Sequence, residues 1–181
     1  DGNRRWAKER GLPTLEGHRR GVKKVEEVIE ALKNTEVKFI TFFLFSTENW
    51  NRSPEEVKYL MALVRENLPR MARKIQAENG RFVILGRPEN VEPSLWQELM
   101  QLEADTEDNS GPTVGICFNY GGQWEIADAA TKAIASGEKE LTPETFAQYV
   151  YHPEIPPCDM IVRTSGEERI SGFMLWRAAY A

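Results

Sequence analysis

The sequence predicts a single α/β domain with a mostly parallel central sheet ringed by helices. Two observations predict it. Apolar runs of strand length, rich in β-branched and aromatic residues, alternate with amphipathic helical patterns. The runs are also nearly continuous in hydrophobicity, as in strands buried on both faces. No repeat, low-complexity tract or linker divides the 181 residues, a length that suits one domain.

The strand runs are Val37–Phe45, Phe82–Gly86, Thr113–Phe118 and Met160–Arg163. Between them, His18–Lys33 sets Val22, Val25, Val28, Ile29 and Leu32 on one stripe, with Lys23, Lys24 and Glu26 solvated. Ser53-Pro54-Glu55-Glu56 opens a second helix with an N-cap, a first-position proline and early acids. That helix carries Val57, Leu60, Met61, Val64, Leu68, Met71 and Ile75, and Pro69 inside it predicts a kink or break. Further helices are expected over Pro93–Glu103, Gln123–Ala135 and Pro143–Val150, the last capped by Thr142. The chain opens on a polar motif with no strand before it and ends in apolar Phe173-Met174-Leu175-Trp176. Residues 1–181 are therefore expected to lack a first strand and a C-terminal segment.

Composition narrows the function. Hydrophobic residues at 41% and charged residues at 28% exclude a disordered or fibrous chain. No apolar run reaches the ~18 residues of a membrane span, and no leader opens the chain, so a cytoplasmic protein is expected. Cys117 and Cys158 lack metal-ligand spacing and give no disulfide framework. Residues 1–24 hold eight Lys/Arg against three acids, although the whole chain carries a net charge of −5. One basic end on an acidic protein is a poor nucleic-acid surface but suits a small anion such as phosphate or diphosphate. A basic amphipathic helix with a solvated face is the plain alternative.

Polar clusters follow three of the strand runs: Ser46–Arg52, Asn119–Gly122 and Arg163–Arg169. In an open parallel sheet, ligands bind beyond the carboxyl ends of strands, so these clusters converge on one edge. A strand before Asp1 would bring Asp1-Gly2-Asn3-Arg4-Arg5-Trp6 there too. Each cluster alone reads as a turn; together, with arginines in three of the four, they point to phosphates. Glycines let backbone N–H groups approach an anion, and arginine grips phosphate oxygens in a fork. Asp1 among these cations suggests a magnesium ligand shared with phosphate oxygens. Neither the Gly-x-x-x-x-Gly-Lys-Ser/Thr loop nor Gly-x-Gly-x-x-Gly is present. The stripes and Phe39, Phe42 and Phe43 read most simply as core. In this architecture they could equally wall an apolar cleft beside the anion site, suiting an amphipathic ligand.

The strings DGNRRWAKERG, GHRRG, FSTENWNRSPEEV, NYGGQWEI and IVRTSGEERISGFMLW, in that order, closely resemble the cis-prenyltransferases, nearest the bacterial undecaprenyl diphosphate synthases. The resemblance covers nearly the whole chain. It implies a magnesium-dependent enzyme that condenses isopentenyl diphosphate with an allylic diphosphate such as farnesyl diphosphate, building a cis-polyprenyl lipid carrier for cell-wall synthesis. It also implies a hydrophobic tunnel in the fold, a homodimer, a cytoplasmic location with loose membrane association, and no nucleic-acid partner. By position, Asp1 resembles the magnesium ligand. Gly2, Asn3, Arg5 and Trp6 resemble the allylic diphosphate loop, with His18 nearby. Ser46, Glu48, Asn49, Trp50 and Arg52 match a mobile loop over the substrates, and Arg163, Arg169 and Ser171 match the isopentenyl diphosphate site. Asp1, Asn3, His18, Ser46 and Asn49 are the catalytic candidates, and the choice of proton relay among Asn3, Ser46 and His18 stays open.

The chain departs from the family pattern at three neighbouring positions. Arg4 stands where a second glycine is usual, Thr14 where an arginine is common, and Gly172 where an Asn is common. A non-catalytic subunit that binds a partner through the same fold is the competing reading. Such subunits tend to lose the aspartate, the Ser-Glu-Asn loop and the arginines, all present here.

Overall fold

The computed structural model describes residues 2–32 and 35–181; Asp1, Lys33 and Asn34 lie outside the described residues. In chain order the elements are α1 (Asn3–Glu9), α2 (Thr14–Leu32), β1 (Phe39–Ser46), a 3-10 turn (Thr47–Asn51), α3 (Pro54–Ala77), β2 (Arg81–Leu85), α4 (Pro93–Ala104), β3 (Thr113–Tyr120), α5 (Gly122–Ala135) and α6 (Pro143–Phe146). The sheet is parallel with strand order β1-β3-β2. β3 is buried along its whole length because it is central and covered on both faces, which is why its sequence runs apolar without alternation.

The two faces build separate cores. Phe82 and Ile84 of β2 and Val114, Ile116 and Phe118 of β3 pack with Leu68, Met71 and Ile75 of α3 and Leu95 and Leu99 of α4. On the other face Val83, Leu85 and Cys117 meet Ile155 and Met174. Asn119 has a left-handed φ of 49°. That turn breaks the strand's alternation and sends Tyr120 to the second face with Cys117.

The α/β class and three of the four strand runs agree with the sequence reading, and the fourth does not. Met160–Arg163 forms no strand. Met160 is 74% and Val162 72% exposed, and the segment borders a cavity whose opposite wall is β1. It lies across that gap, with no strand beside it among the described residues to complete a ladder. α3 runs as one helix, Pro54–Ala77, through Pro69, so of the expected kink or break the break does not occur. α6 is a single turn, shorter than the Pro143–Val150 pattern. α1 occupies the stretch that the sequence marks only as a motif loop. It crosses α2 so closely that a methyl on Gly17 would sit 2.1 Å from the Asn3 carbonyl oxygen.

Candidate active site

The loop after β1 is tied to the end of β3. The Ser46 N–H donates to Asn49 Oδ1 at 3.1 Å, closing the 3-10 turn on itself. Trp50 stands edge-on to Phe45 at 5.0 Å, and its Nε1–H donates to Asn119 Oδ1 at 2.7 Å. Asn119 Nδ2 donates to the carbonyls of Arg87 (2.8 Å) and Glu89 (2.7 Å), just past β2. One buried carboxamide therefore joins the carboxyl ends of all three strands. Glu48 faces solvent.

Gly121 and Gly122 extend the cluster. A methyl on Gly121 would lie 2.7 Å from Thr47 Oγ1, and one on Gly122 would lie 2.3 Å from the Gly172 carbonyl. The 163–172 segment is thus seated against the start of α5. Within it, Arg163 donates to Ser171 Oγ at 2.9 Å and to the Arg169 carbonyl. Glu167 accepts from Arg5 at 3.2 Å and pairs with Arg169 at 2.6 Å, so one carboxylate spans the α1 loop and the 163–171 loop. The Arg169 charge and the Arg5 hydrogen bond hold its carboxyl below the usual range. Gly2 has φ 71°, and a methyl there would meet Ser165 Oγ at 2.4 Å, so only glycine fits.

A second carboxylate gathers the remaining cations. Glu56 Oε1 lies 3.0 Å from His18 Nε2, 2.8 Å from Arg52 and 3.8 Å from Arg4 Nε. Burial alone would raise the Glu56 pKa, but the His18 hydrogen bond and the Arg52 and Arg4 charges outweigh it and hold it low. Burial lowers that of His18, and Arg52 and Arg4 add to this against the pull of Glu56. Trp6 stacks under Arg10 (4.5 Å) and Arg20 (5.7 Å). Thr14, with Arg4, Arg5 and Lys8, lines a second depression of about 500 Å³.

Beside this rim lies a cavity of about 1600 Å³ between α2, β1, α3 and residues 155–165. Phe39, Phe42, Leu60, Leu63, Val64 and Met71 wall it, while Asn3, Trp6, His18, Thr164 and Ser165 stand at its polar end. Phe39, Phe42 and Phe43 therefore line an open trough, while Phe42 also packs against the first core and Phe43 against the second.

The structure brings together Gly2, Asn3, Arg5, Trp6, His18, Ser46, Asn49, Trp50, Arg52, Arg163, Arg169 and Ser171 along one connected rim. The expectation for Asp1 lies outside the described residues. Among the described residues no three His, Cys, Asp or Glu side chains converge on a metal position. Glu56 and Glu167 are already held by cations. Sequence reasoning missed Glu56, Glu167 and Asn119 as organisers. From sequence Glu56 is one of the early acids of its helix, although its place four residues after Arg52 is a signal for that pair.

The family profile described as "Putative undecaprenyl diphosphate synthase" matches residues 1–181. The trans,polycis-polyprenyl diphosphate synthase ((2Z,6E)-farnesyl diphosphate specific) of Thermobifida fusca is 43% identical over 187 residues, covering 100% of this chain and 66% of its own length. An isoprenyl transferase of Neisseria meningitidis is 42% identical, covering 100% of this chain and 73% of its own. The crystal structure of lavandulyl diphosphate synthase from Lavandula x intermedia, in complex with dimethylallyl diphosphate, superposes with a TM-score of 0.85 at 28% identity. That likeness covers 98% of this chain and 79% of the other. The chain thus spans roughly two-thirds to three-quarters of the length of these curated relatives. With matching motifs, rim and apolar trough, the chain belongs to the undecaprenyl diphosphate synthase family of cis-prenyltransferases, the transferases that extend prenyl diphosphates.

Proposed function

We propose that the full-length protein condenses isopentenyl diphosphate with an allylic diphosphate such as farnesyl diphosphate. In this reading it is a magnesium-dependent homodimer that makes the polyprenyl carrier for cell-wall synthesis. The observation that carries the reaction is a rim of paired cations opening directly onto an apolar cavity of about 1600 Å³. A diphosphate head and a hydrocarbon tail need those two environments side by side. The homodimer and the cell-wall role rest on the family resemblance.

The roles follow from position. Arg52, Arg5 and Trp6 surround the allylic diphosphate, and Arg163, Arg169 and Ser171 hold the isopentenyl diphosphate. As the allylic carbon–oxygen bond breaks, negative charge grows on the departing diphosphate, so fixed guanidiniums stabilise the transition state more than the ground state. Arg163 is held by Ser171 and the Arg169 carbonyl, which supports its role in orienting the second substrate's double bond. Magnesium held by Asp1 and phosphate oxygens would add a Lewis acid that neutralises the leaving diphosphate. Glu56 and Glu167 keep neighbouring cations from repelling one another until diphosphate arrives.

Incorporation of labelled isopentenyl diphosphate into long lipid, primed by farnesyl diphosphate with magnesium present, tests the proposal. Product is expected; full-length protein that makes none while binding a partner tightly would establish a non-catalytic subunit instead. Asp1→Ala should lower turnover by on the order of 10²–10³ while substrate binding falls modestly. A wild-type rate in that variant would refute the magnesium assignment.

A further inference from the structure

Glu56 is not placed as a helix-dipole acid would be. Its neighbour Glu55 faces solvent at the same first turn, whereas the Glu56 side chain is 10% exposed and turns inward to α2. Both His18 Nε2 and an Arg52 nitrogen reach its Oε1. An ionised carboxylate can only accept, so the hydrogen of this contact sits on Nε2. The charged groups facing the ring are Glu56 from α3, Arg52 from the loop before α3 and Arg4 from α1. The two guanidiniums and burial oppose a second ring proton. With Nε2 protonated and the ring neutral, Nδ1 is its acceptor. His18 lines the polar end of the cavity with Asn3 and Ser165.

We propose that Glu56 is a positioning residue acting through His18: it takes the Nε2 hydrogen, fixes the tautomer, and leaves Nδ1 to accept the proton released in condensation. This rests on the prenyl-transfer reading above. In that step the allylic carbon–oxygen bond breaks and its electron pair leaves with diphosphate. The double bond of isopentenyl diphosphate then forms the new carbon–carbon bond. The C–H electrons next to the resulting cation form the new double bond as the proton passes to His18 Nδ1. The imidazolium so formed keeps its Nε2–H on Glu56, whose charge stabilises it, and returns the extra proton to the departing diphosphate.

The chain has two histidines, so a long-range proton–nitrogen spectrum of the full-length protein resolves both rings, and His18→Gln identifies one of them. A neutral, Nε2-protonated His18 at neutral pH is expected in the free protein. A doubly protonated ring, or one protonated at Nδ1, overturns the proposal whatever the enzyme's activity. In the labelled-isopentenyl assay, Glu56→Gln should lower kcat about a hundredfold with the isopentenyl KM within about twofold. The same change made on top of His18→Gln should add nothing further. Losses that multiply, or a Glu56→Gln enzyme impaired only in KM, refute an action through His18. If wild-type protein transfers no prenyl group, the assigned reaction falls, while the tautomer still decides what Glu56 does to the ring.

Discussion

Glu56 and Glu167 show how acids can hold an anion site together before the anion arrives. Five cationic or imidazole groups, Arg4, Arg5, His18, Arg52 and Arg169, rest on these two carboxylates. In the proposed reaction, arriving diphosphate would take over those guanidiniums with little rearrangement, because they are already gathered. Arg163 is arranged differently: it donates to the neutral Ser171 Oγ and to the Arg169 carbonyl, and its charge adds to those that hold the Glu167 carboxyl low. Arg163→Ala should therefore raise the KM for isopentenyl diphosphate by about tenfold or more, with a smaller effect on the allylic substrate. Steady-state kinetics with each substrate varied in turn will check this, and equal effects on both would contradict the assignment. The sequence made the cations legible but not their pairing. Arg5 and Glu167 lie 162 positions apart and meet only through the fold.

At the scale of elements, β2 is an edge strand whose outer backbone groups are covered by side chains. The Phe82 N–H donates to Thr106 Oγ1 at 2.9 Å, and the Ile84 N–H donates to Glu103 Oε2 at 2.8 Å. The Ile84 carbonyl lies 3.1 Å from His152 Nε2, so a protonated ring donates to it. This leaves the edge no free template for strand addition there. Burial alone would lower the His152 pKa, but the nearby Glu103 and Glu154 carboxylates outweigh it and raise the value. A folded-state value above the unfolded one stabilises the fold below about pH 6.5, and that contribution fades as pH rises through the raised folded value. His152 should accordingly pull the thermal midpoint down between about pH 6 and pH 8, against the opposite pull of His18 with its lowered value, and His152→Gln should remove the downward part. An unchanged slope in that variant would count against the coupling.

Arg177 is the other element-scale clamp. It donates to Glu125 at 2.7 Å and to the carbonyls of Ile155 and His152, both charges being fully buried. Tyr120 donates to the same carboxylate at 2.5 Å. Arg177→Met would strand the Glu125 charge and should cost about 3–5 kcal/mol in denaturant unfolding, and adding Glu125→Gln should recover part of it. Arg177 directly follows the apolar run Phe173-Met174-Leu175-Trp176. Its partner lies 52 residues away on α5.

For the whole molecule, the decisive feature is that α2 and residues 155–165 stand off β1 and enclose space. Leu60 projects into that space from α3, next to the cationic rim in chain order. Leu60→Trp should shorten the lipid product by at least one isoprene unit, resolved by mass spectrometry of the extracted diphosphates. An unaltered product would mean that the chain grows elsewhere. The same arrangement explains why Met160–Arg163 is apolar without being a strand: it borders the cavity opposite β1, with two side chains facing outward.

By itself the sequence determined the α/β class, the three paired strands and the motifs that gather at their carboxyl ends. Those depend on local periodicity and on a general rule for parallel sheets. Only the tertiary structure decided that Phe39 and Phe42 border an open cavity, since apolar residues look alike in sequence whether they face neighbours or open space. It alone decided, too, which acids hold which cations. An ion pair is set by three-dimensional distance, and the residues that meet on Glu56 and Glu167 come from α1, α2 and loops far apart along the chain.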